Sequence, residues 1–86
     1  MKVFLSKNFE KQFSRLTRNI RDHFFKRVDL FIREPTHQQL NVHKLSGKYE
    51  GLWSINITGN IRAVIDRSQK DIALFVAIGS HSELYG

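Results

Sequence analysis

The spacing of apolar residues changes once along the chain, and this change limits the folds that the sequence can adopt. Before Pro35, apolar side chains recur at intervals of three and four residues, as expected for one face of a helix. They are Phe9, Phe13, Leu16, Ile20, Phe24, Val28 and Phe31. After Gly51 the interval becomes two, which is typical of strands with one apolar face. The pattern therefore predicts an α+β fold, with helices in the first half and a sheet in the second.

We expect two antiparallel helices between residues 7 and 33. A single helix of this length would extend about 40 Å at 1.5 Å per residue, farther than the core of so small a domain. Thr17, Arg18 and Asn19 supply the break, because Thr and Asn are good N-caps. Pro35 ends the second helix, since a proline disfavours helical geometry in the residue before it.

The predicted sheet combines a short initial strand, Lys2–Leu5, with a three-stranded meander after Gly51. Ser6 caps the first helix directly after the initial strand. If residues 58–60 form a three-residue hairpin loop, the apolar residues of both flanking strands share one side. The other side then carries Ser54, Asn56 and Arg62. The continuous apolar run Ile72–Ile78 indicates a last strand that is covered on both faces or central in its sheet.

A polar segment over residues 36–50 separates the helices from the meander and has no sustained period. We expect a long connecting loop here, and long loops in compact domains often carry function. This loop contains His37, His43, Lys44 and Lys48.

The charge and size of the chain restrict its partners and its type of site. With 86 residues the chain is expected to form one domain over 1–86, and most apolar residues are needed for its core. A site on such a domain should be a shallow surface that suits a polymer or a protein. Fourteen Lys and Arg against eight Asp and Glu give a net charge of +6. This favours nucleic acid or an acidic protein as partner, although a basic surface also simply keeps a domain dispersed.

Several classes of protein are disfavoured. No apolar run approaches the roughly 20 residues of a membrane span, and the apolar stretch at the N-terminus is too short for a signal peptide. We therefore expect a soluble cytoplasmic protein. The four histidines, His23, His37, His43 and His81, show no zinc-ligand spacing and there is no cysteine. No metal or other cofactor is expected.

The remaining candidates for chemistry are His43, Lys44, Arg62, His81 and Tyr85. RNA can be cleaved without metal if one group removes the 2′-hydroxyl proton, another protonates the leaving 5′-oxygen and a cation stabilises the phosphate. Histidine suits both proton transfers because the unperturbed imidazole pKa is about 6.5. Arginine binds phosphate oxygens in pairs, and an aromatic ring can stack on a base.

Ordinary structural roles remain open for these and neighbouring residues. A histidine is often a surface or capping residue. Arg62 can instead pair with Asp66 on its own strand, and Trp53 and Tyr49 can belong to the core or its rim.

Four segments carry a resemblance to a known family: Asn41–Gly47, Gly51–Ile57, Asn60–Val64 and Ile78–Tyr85. Together they resemble the RelE/ParE toxin superfamily, and within it the YafQ-like branch of RNA endonuclease toxins. The resemblance implies a helical hairpin packed on a twisted, mainly antiparallel sheet of about four strands. It also implies a type II toxin that cleaves mRNA on the ribosome and is neutralised by a cognate antitoxin in a heteromeric complex.

The resemblance also implies roles for individual residues. His81 matches the tail histidine that transfers protons, Tyr85 the tail aromatic, His43 the loop histidine and Arg62 a phosphate-binding arginine. We place further substrate contacts at Lys44, Lys48, Asn56 and Ser54.

The chain departs from the branch at two places. Asn60 and Ile61 stand where other members often have Asp and Trp, and Ser54 and Asn56 where some have Asp and His. Fewer titratable groups imply slower cleavage, greater dependence on His81 or loss of activity. Two alternatives therefore stay open: a ParE-like protein that inhibits gyrase without cutting RNA, and a decayed homologue that only binds antitoxin.

Overall fold

The computed structural model describes all 86 residues and confirms the α+β prediction. The helices are α1 (Lys7–Ser14), α2 (Arg18–Arg33) and α3 (His81–Tyr85). The strands are β1 (Lys2–Leu5), β2 (His43–Lys44), β3 (Trp53–Asn56), β4 (Ile61–Asp66) and β5 (Ile72–Ser80). They form one sheet in the order β1-β5-β4-β3-β2, in which β1 runs parallel to β5 and all other neighbours are antiparallel.

The predicted helix boundaries are confirmed by their caps. The Ser6 side chain accepts a hydrogen bond from the main-chain N–H of Phe9, and the Thr17 side chain accepts one from Ile20. α2 ends at Arg33, two residues before Pro35. No helix is both long enough and apolar enough to span a membrane.

The sheet has five strands rather than about four, because the expected loop over 36–50 is partly ordered. It contains the two-residue edge strand β2 and two short 3-10 helices, Gln38–Leu40 and Gly47–Tyr49. His43 pairs with Ser54 and Lys44 with Trp53. The polar composition concealed this strand, since both of its residues are exposed and it has no apolar face.

The hairpin register is as predicted, with Asn56 opposite Arg62. The expectation that only one face of this hairpin is apolar was wrong. Ala63, Val64 and Ile65 are all buried, and Val64 packs with Ala77 and Leu84 on the side away from α1 and α2. The short helix α3 folds over that side and covers it.

The main core lies between the sheet and helices α1 and α2. It includes Phe9, Phe24, Phe31 and Phe75, with Ile55, Ile57 and Ile65 from the strands. α1 is also fixed to β5 by side-chain hydrogen bonds, where the Gln12 Oε1 atom accepts from the Ile78 N–H at 2.9 Å. These contacts hold β5 in place, and the end of β5 leads directly into α3.

Candidate active site

A cleft of about 440 Å³ brings five predicted site residues together on the face away from α1 and α2. They are His43, Ser54, Arg62, His81 and Tyr85, and the cleft is completed by Asn41, Leu45 and Ser46. The sheet order explains the convergence. His43 lies opposite Ser54 across β2 and β3, while Arg62 lies opposite Gly79, two residues before α3 begins. Residues far apart in sequence therefore reach one surface.

α3 is a single helical turn that begins with a capping box. The Ser80 hydroxyl accepts from the Glu83 N–H at 3.1 Å, and the Glu83 carboxylate accepts from the Ser80 N–H at 2.8 Å. A hydrogen bond from the Ser80 main-chain N–H and, to a smaller extent, one from the Ser80 hydroxyl hold the pKa of Glu83 below its usual range. Leu84 anchors the turn in the apolar cluster beneath it. The segment after β5 is thus an ordered helical turn.

The helical turn sets the relation between His81 and Tyr85. Residues four apart lie on the same helix face, and the two rings meet edge to face with centroids 4.8 Å apart. The Tyr85 ring also meets the ring of Tyr49, at 5.9 Å. His81 is exposed at the cleft, and its ring is supported from one side by Tyr85.

Ser54 holds the hydroxyl end of Tyr85. The Tyr85 hydroxyl donates to the Ser54 Oγ atom across 3.2 Å. Ser54 is completely buried, although it was predicted to contact the substrate. A fully buried hydroxyl cannot contact a polymer at the surface. Ser54 therefore affects the cleft indirectly, by holding the Tyr85 hydroxyl in place.

His43 is oriented by its own main chain. Its Nδ1 atom lies 2.8 Å from the carbonyl oxygen of Asn41. A carbonyl oxygen only accepts, so Nδ1 carries the hydrogen and Nε2 is left to exchange a proton. Asn41 takes up the left-handed conformation, with φ of 46°, which turns the chain into β2.

The Arg62 guanidinium is held by the carbonyl oxygens of the preceding turn. Its first terminal nitrogen donates to Thr58 at 2.9 Å and to Ile61 at 3.2 Å, and its second donates to Gly59 at 3.2 Å. The Nε hydrogen and one terminal hydrogen stay available for an anion. These neutral partners fix the position of the guanidinium but leave its positive charge uncompensated.

The alternative pairing of Arg62 with Asp66 is not formed. The Asp66 carboxylate instead accepts from the Ser68 N–H at 2.8 Å. That main-chain bond, with a further one from the Ser68 hydroxyl, lowers the pKa of Asp66. No carboxylate lines the cleft.

Three predicted substrate contacts lie outside the cleft. The Lys48 Nζ atom is 5.1 Å from the centre of the Tyr49 ring and borders an adjacent cleft on the other side of Tyr85. Lys44 lies over the ring of Trp53, at 5.4 Å. Asn56 sits beside Arg62 on the neighbouring strand, with its Oδ1 atom buried and without a hydrogen-bond partner.

Sequence reasoning missed the contributions of Asn41, Ser46 and the helix α3. A signal for α3 was present, because Ser80 and Glu83 have the spacing of a capping box. The contribution of Asn41 depends on its backbone conformation, for which the surrounding polar loop gave no specific signal.

The fold resembles solved structures of bacterial toxins. YafQ of E. coli is 15% identical and superimposes with a TM-score of 0.81, covering 99% of this chain and 98% of YafQ. In a complex of E. coli YafQ with the antitoxin DinJ, the corresponding TM-score is 0.77. At this identity the similarity concerns the fold.

Two structures from Helicobacter pylori are more similar in sequence. The conserved hypothetical protein HP0894 is 31% identical, with a TM-score of 0.69 and 99% of both chains covered. A copper-bound mutant toxin is 26% identical, with a TM-score of 0.72 and 99% of both chains covered. No protein-family model and no curated protein matches the chain.

Proposed function

We propose that the chain is a type II toxin of the RelE/ParE superfamily, whose fold it shares, and that it cleaves mRNA on the ribosome without a metal ion. The observation that supports the proposal is the cleft in which two histidines and an arginine meet with no carboxylate. A phosphodiester is attracted to such a surface, and imidazole is a side chain that can both donate and accept a proton.

The proposed reaction is a transfer of the phosphodiester to the neighbouring 2′-oxygen. The 2′-oxygen forms a bond to phosphorus, its proton passes to a base, and the bond from phosphorus to the 5′-oxygen breaks as that oxygen receives a proton. The products are a 2′,3′-cyclic phosphate and a free 5′-hydroxyl.

His81 is the proposed general acid or base, because its ring is exposed in the cleft beside Arg62. Arg62 stabilises the charge that develops on the phosphate through its free Nε and terminal hydrogens. Tyr85 supports the His81 ring and offers its own ring for stacking on a base. His43, with Nε2 free, assists in charge and orientation.

We propose a cognate antitoxin as the partner of this chain. YafQ has been crystallised with its antitoxin DinJ, and the net charge of +6 favours an acidic partner. Masking of the cleft by such a partner would keep RNA away from His81.

Purified protein incubated with ribosomes that carry a defined mRNA tests the proposal. We expect discrete cuts, which the variant His81→Ala makes roughly 10²–10⁴ times more slowly. His23→Ala is the matched control, because His23 lies on α2 with its Nδ1 atom bonded to the carbonyl of Asn19. It should cut at the normal rate.

Intact mRNA with the wild-type protein would contradict the proposal, as would equal cutting by His81→Ala. Inhibition of gyrase supercoiling that survives His81→Ala would instead favour the ParE-like alternative.

A further inference from the structure

We propose that a second cleft, on the far side of the edge strand β2, binds a single-stranded RNA segment that continues from the first cleft. This cleft has a volume of about 410 Å³ and is lined by Asn41, Val42, Trp53, Arg67 and residues 35–38. The inference rests on the proposed function in one respect, which is that the substrate is RNA.

Two cations lie against the indole ring of Trp53. The Lys44 Nζ atom and the Arg67 Cζ atom are each 5.4 Å from the ring centre. Arg67 also lies 5.2 Å from the ring of Phe31. The aromatic faces attract both cations and hold them in place. The one ion pair of the chain joins Arg33 to Asp29, so neither Lys44 nor Arg67 is neutralised by a carboxylate.

No carboxylate lines either of the two clefts beside strand β2. One is the second cleft, which contains Trp53, and the other is the first cleft, which contains His43 and His81. Three other clefts include one each: Asp66, Glu83 and Asp71. Because a carboxylate repels phosphate, these two clefts beside β2 are favourable places for a phosphodiester chain.

Strand β2 connects these two clefts. Neighbouring residues of a strand point to opposite faces, so His43 and Lys44 lie on opposite sides of the sheet edge, each beside its partner on β3. Both are exposed, and Asn41 lines both clefts. A strand of RNA that passes over this edge therefore meets His43 on one side and Lys44 and Arg67 on the other.

The geometry favours single-stranded rather than double-stranded RNA. A duplex is too stiff to bend sharply around the edge of a sheet. A single strand can turn, and its bases are free for polar contacts and for stacking on planar groups such as a guanidinium. His37, Gln38 and Asn41 supply polar groups for the base edges, while Arg67 and Lys44 supply charge for the phosphates.

Fluorescence gives a direct test, because Trp53 is the only tryptophan of the chain. The variant His81→Ala of the 86-residue chain, chosen to prevent cleavage, is titrated with a short single-stranded RNA. We expect RNA to change the Trp53 emission. Arg67→Ala and Lys44→Ala should each weaken binding by roughly three- to tenfold and reduce the salt dependence by about one phosphate contact.

Arg18→Ala is the matched control, since it removes one positive charge from an exposed position at the start of α2. It should bind RNA almost as well as its parent. Circular dichroism checks that each variant is folded. If Arg67→Ala does not fold, the exposed Lys44 decides the question.

The inference is overturned if RNA leaves the Trp53 emission unchanged, if Arg18→Ala weakens binding as much as Lys44→Ala, or if a duplex of the same sequence binds equally well. Failure of the inference can be distinguished from failure of the proposed function. If mRNA is cut but the Trp53 emission stays unchanged, only the proposal that the second cleft binds RNA is overturned. Changed emission with intact mRNA supports the cleft as an RNA site and contradicts the nuclease activity.

Discussion

The two faces of the sheet are held together in different ways. The face covered by α1 and α2 has a cluster of twelve buried apolar residues. The opposite face has a cluster of three, Val64, Ala77 and Leu84, and beside it the polar cleft. The free energy of folding therefore comes mainly from the helix side, whereas the candidate chemistry lies on the other.

The difference teaches how so small a domain can keep a polar site. On the helix side, aromatic rings interlock with centroids 5.1–5.7 Å apart, and no single hydrogen bond fixes them. In the cleft, Arg62, His43 and Tyr85 are each held by hydrogen bonds to the chain itself. A single hydrogen bond contributes only about 1 kcal/mol. The cleft can thus be altered without unfolding the protein.

Phe9→Ala should have the largest effect on stability. Phe9 is completely buried, and its ring lies 5.1 Å from that of Phe24 and 5.7 Å from that of Phe75. Removal of the ring leaves a cavity in the main core and should lower the free energy of unfolding by about 3–5 kcal/mol. Urea unfolding followed by circular dichroism measures this loss.

Phe25→Ala is the control for this substitution. Phe25 follows Phe24 on the same helix but is 58% exposed. Its removal should cost no more than about 1 kcal/mol. Equal losses for Phe9→Ala and Phe25→Ala would show that the helix side is not the main source of stability, and the comparison of the two faces would be wrong.

Tyr85→Phe should have a moderate effect, confined to the cleft. It removes the hydroxyl that donates to Ser54 and keeps the ring beside His81. The Ser54 hydroxyl is then buried without a partner, so the free energy of unfolding should fall by about 1–3 kcal/mol. Urea unfolding measures this free energy for Tyr85→Phe, for Ser54→Ala and for the double variant.

The double variant should lose less stability than the two single variants combined, because neither hydroxyl is left unpaired. Strict additivity would mean that the two groups do not interact. In that case Ser54 does not position Tyr85.

The sequence was sufficient to predict the elements whose signals are local. The caps at Ser6 and Thr17, the end of α2 before Pro35 and the register of Asn56 opposite Arg62 all follow from short stretches of chain. The resemblance of four separate segments pointed to the family. It also selected four residues, His43, Arg62, His81 and Tyr85, that the fold brings into one cleft.

The features that were missed depend on contacts between distant parts of the chain. Strand β2 exists because His43 and Lys44 pair with β3, and no periodicity marks a strand of two residues. The burial of Ser54 follows from the position of Tyr85, 31 residues away. Lys44 was assigned to the substrate from its place beside His43, although adjacent residues of a strand point to opposite faces.

The smallest predicted effect is a local response of α3 to acid. The pKa of Glu83 is lowered because the Ser80 N–H, and then its hydroxyl, donate to the carboxylate. A lowered pKa means that the capping contribution is complete above the ordinary glutamate pKa and is lost as the pH falls through the lower value of the folded protein. Glu83 is fully exposed, so the change in overall stability should be slight.

Acid should therefore loosen α3 while the helix side of the sheet stays unchanged. NMR signals of the Tyr85 ring should shift as Glu83 is protonated, and those of Phe9 and Phe75 should stay constant. The variant Glu83→Gln keeps an oxygen that can accept from the Ser80 N–H but does not titrate in this range. It should remove the shift of Tyr85, whereas Asp66→Asn, which changes the other carboxylate with a lowered pKa, should retain it. If the Phe9 and Tyr85 signals move together in acid, the two faces unfold as one unit and the cleft has no independent response.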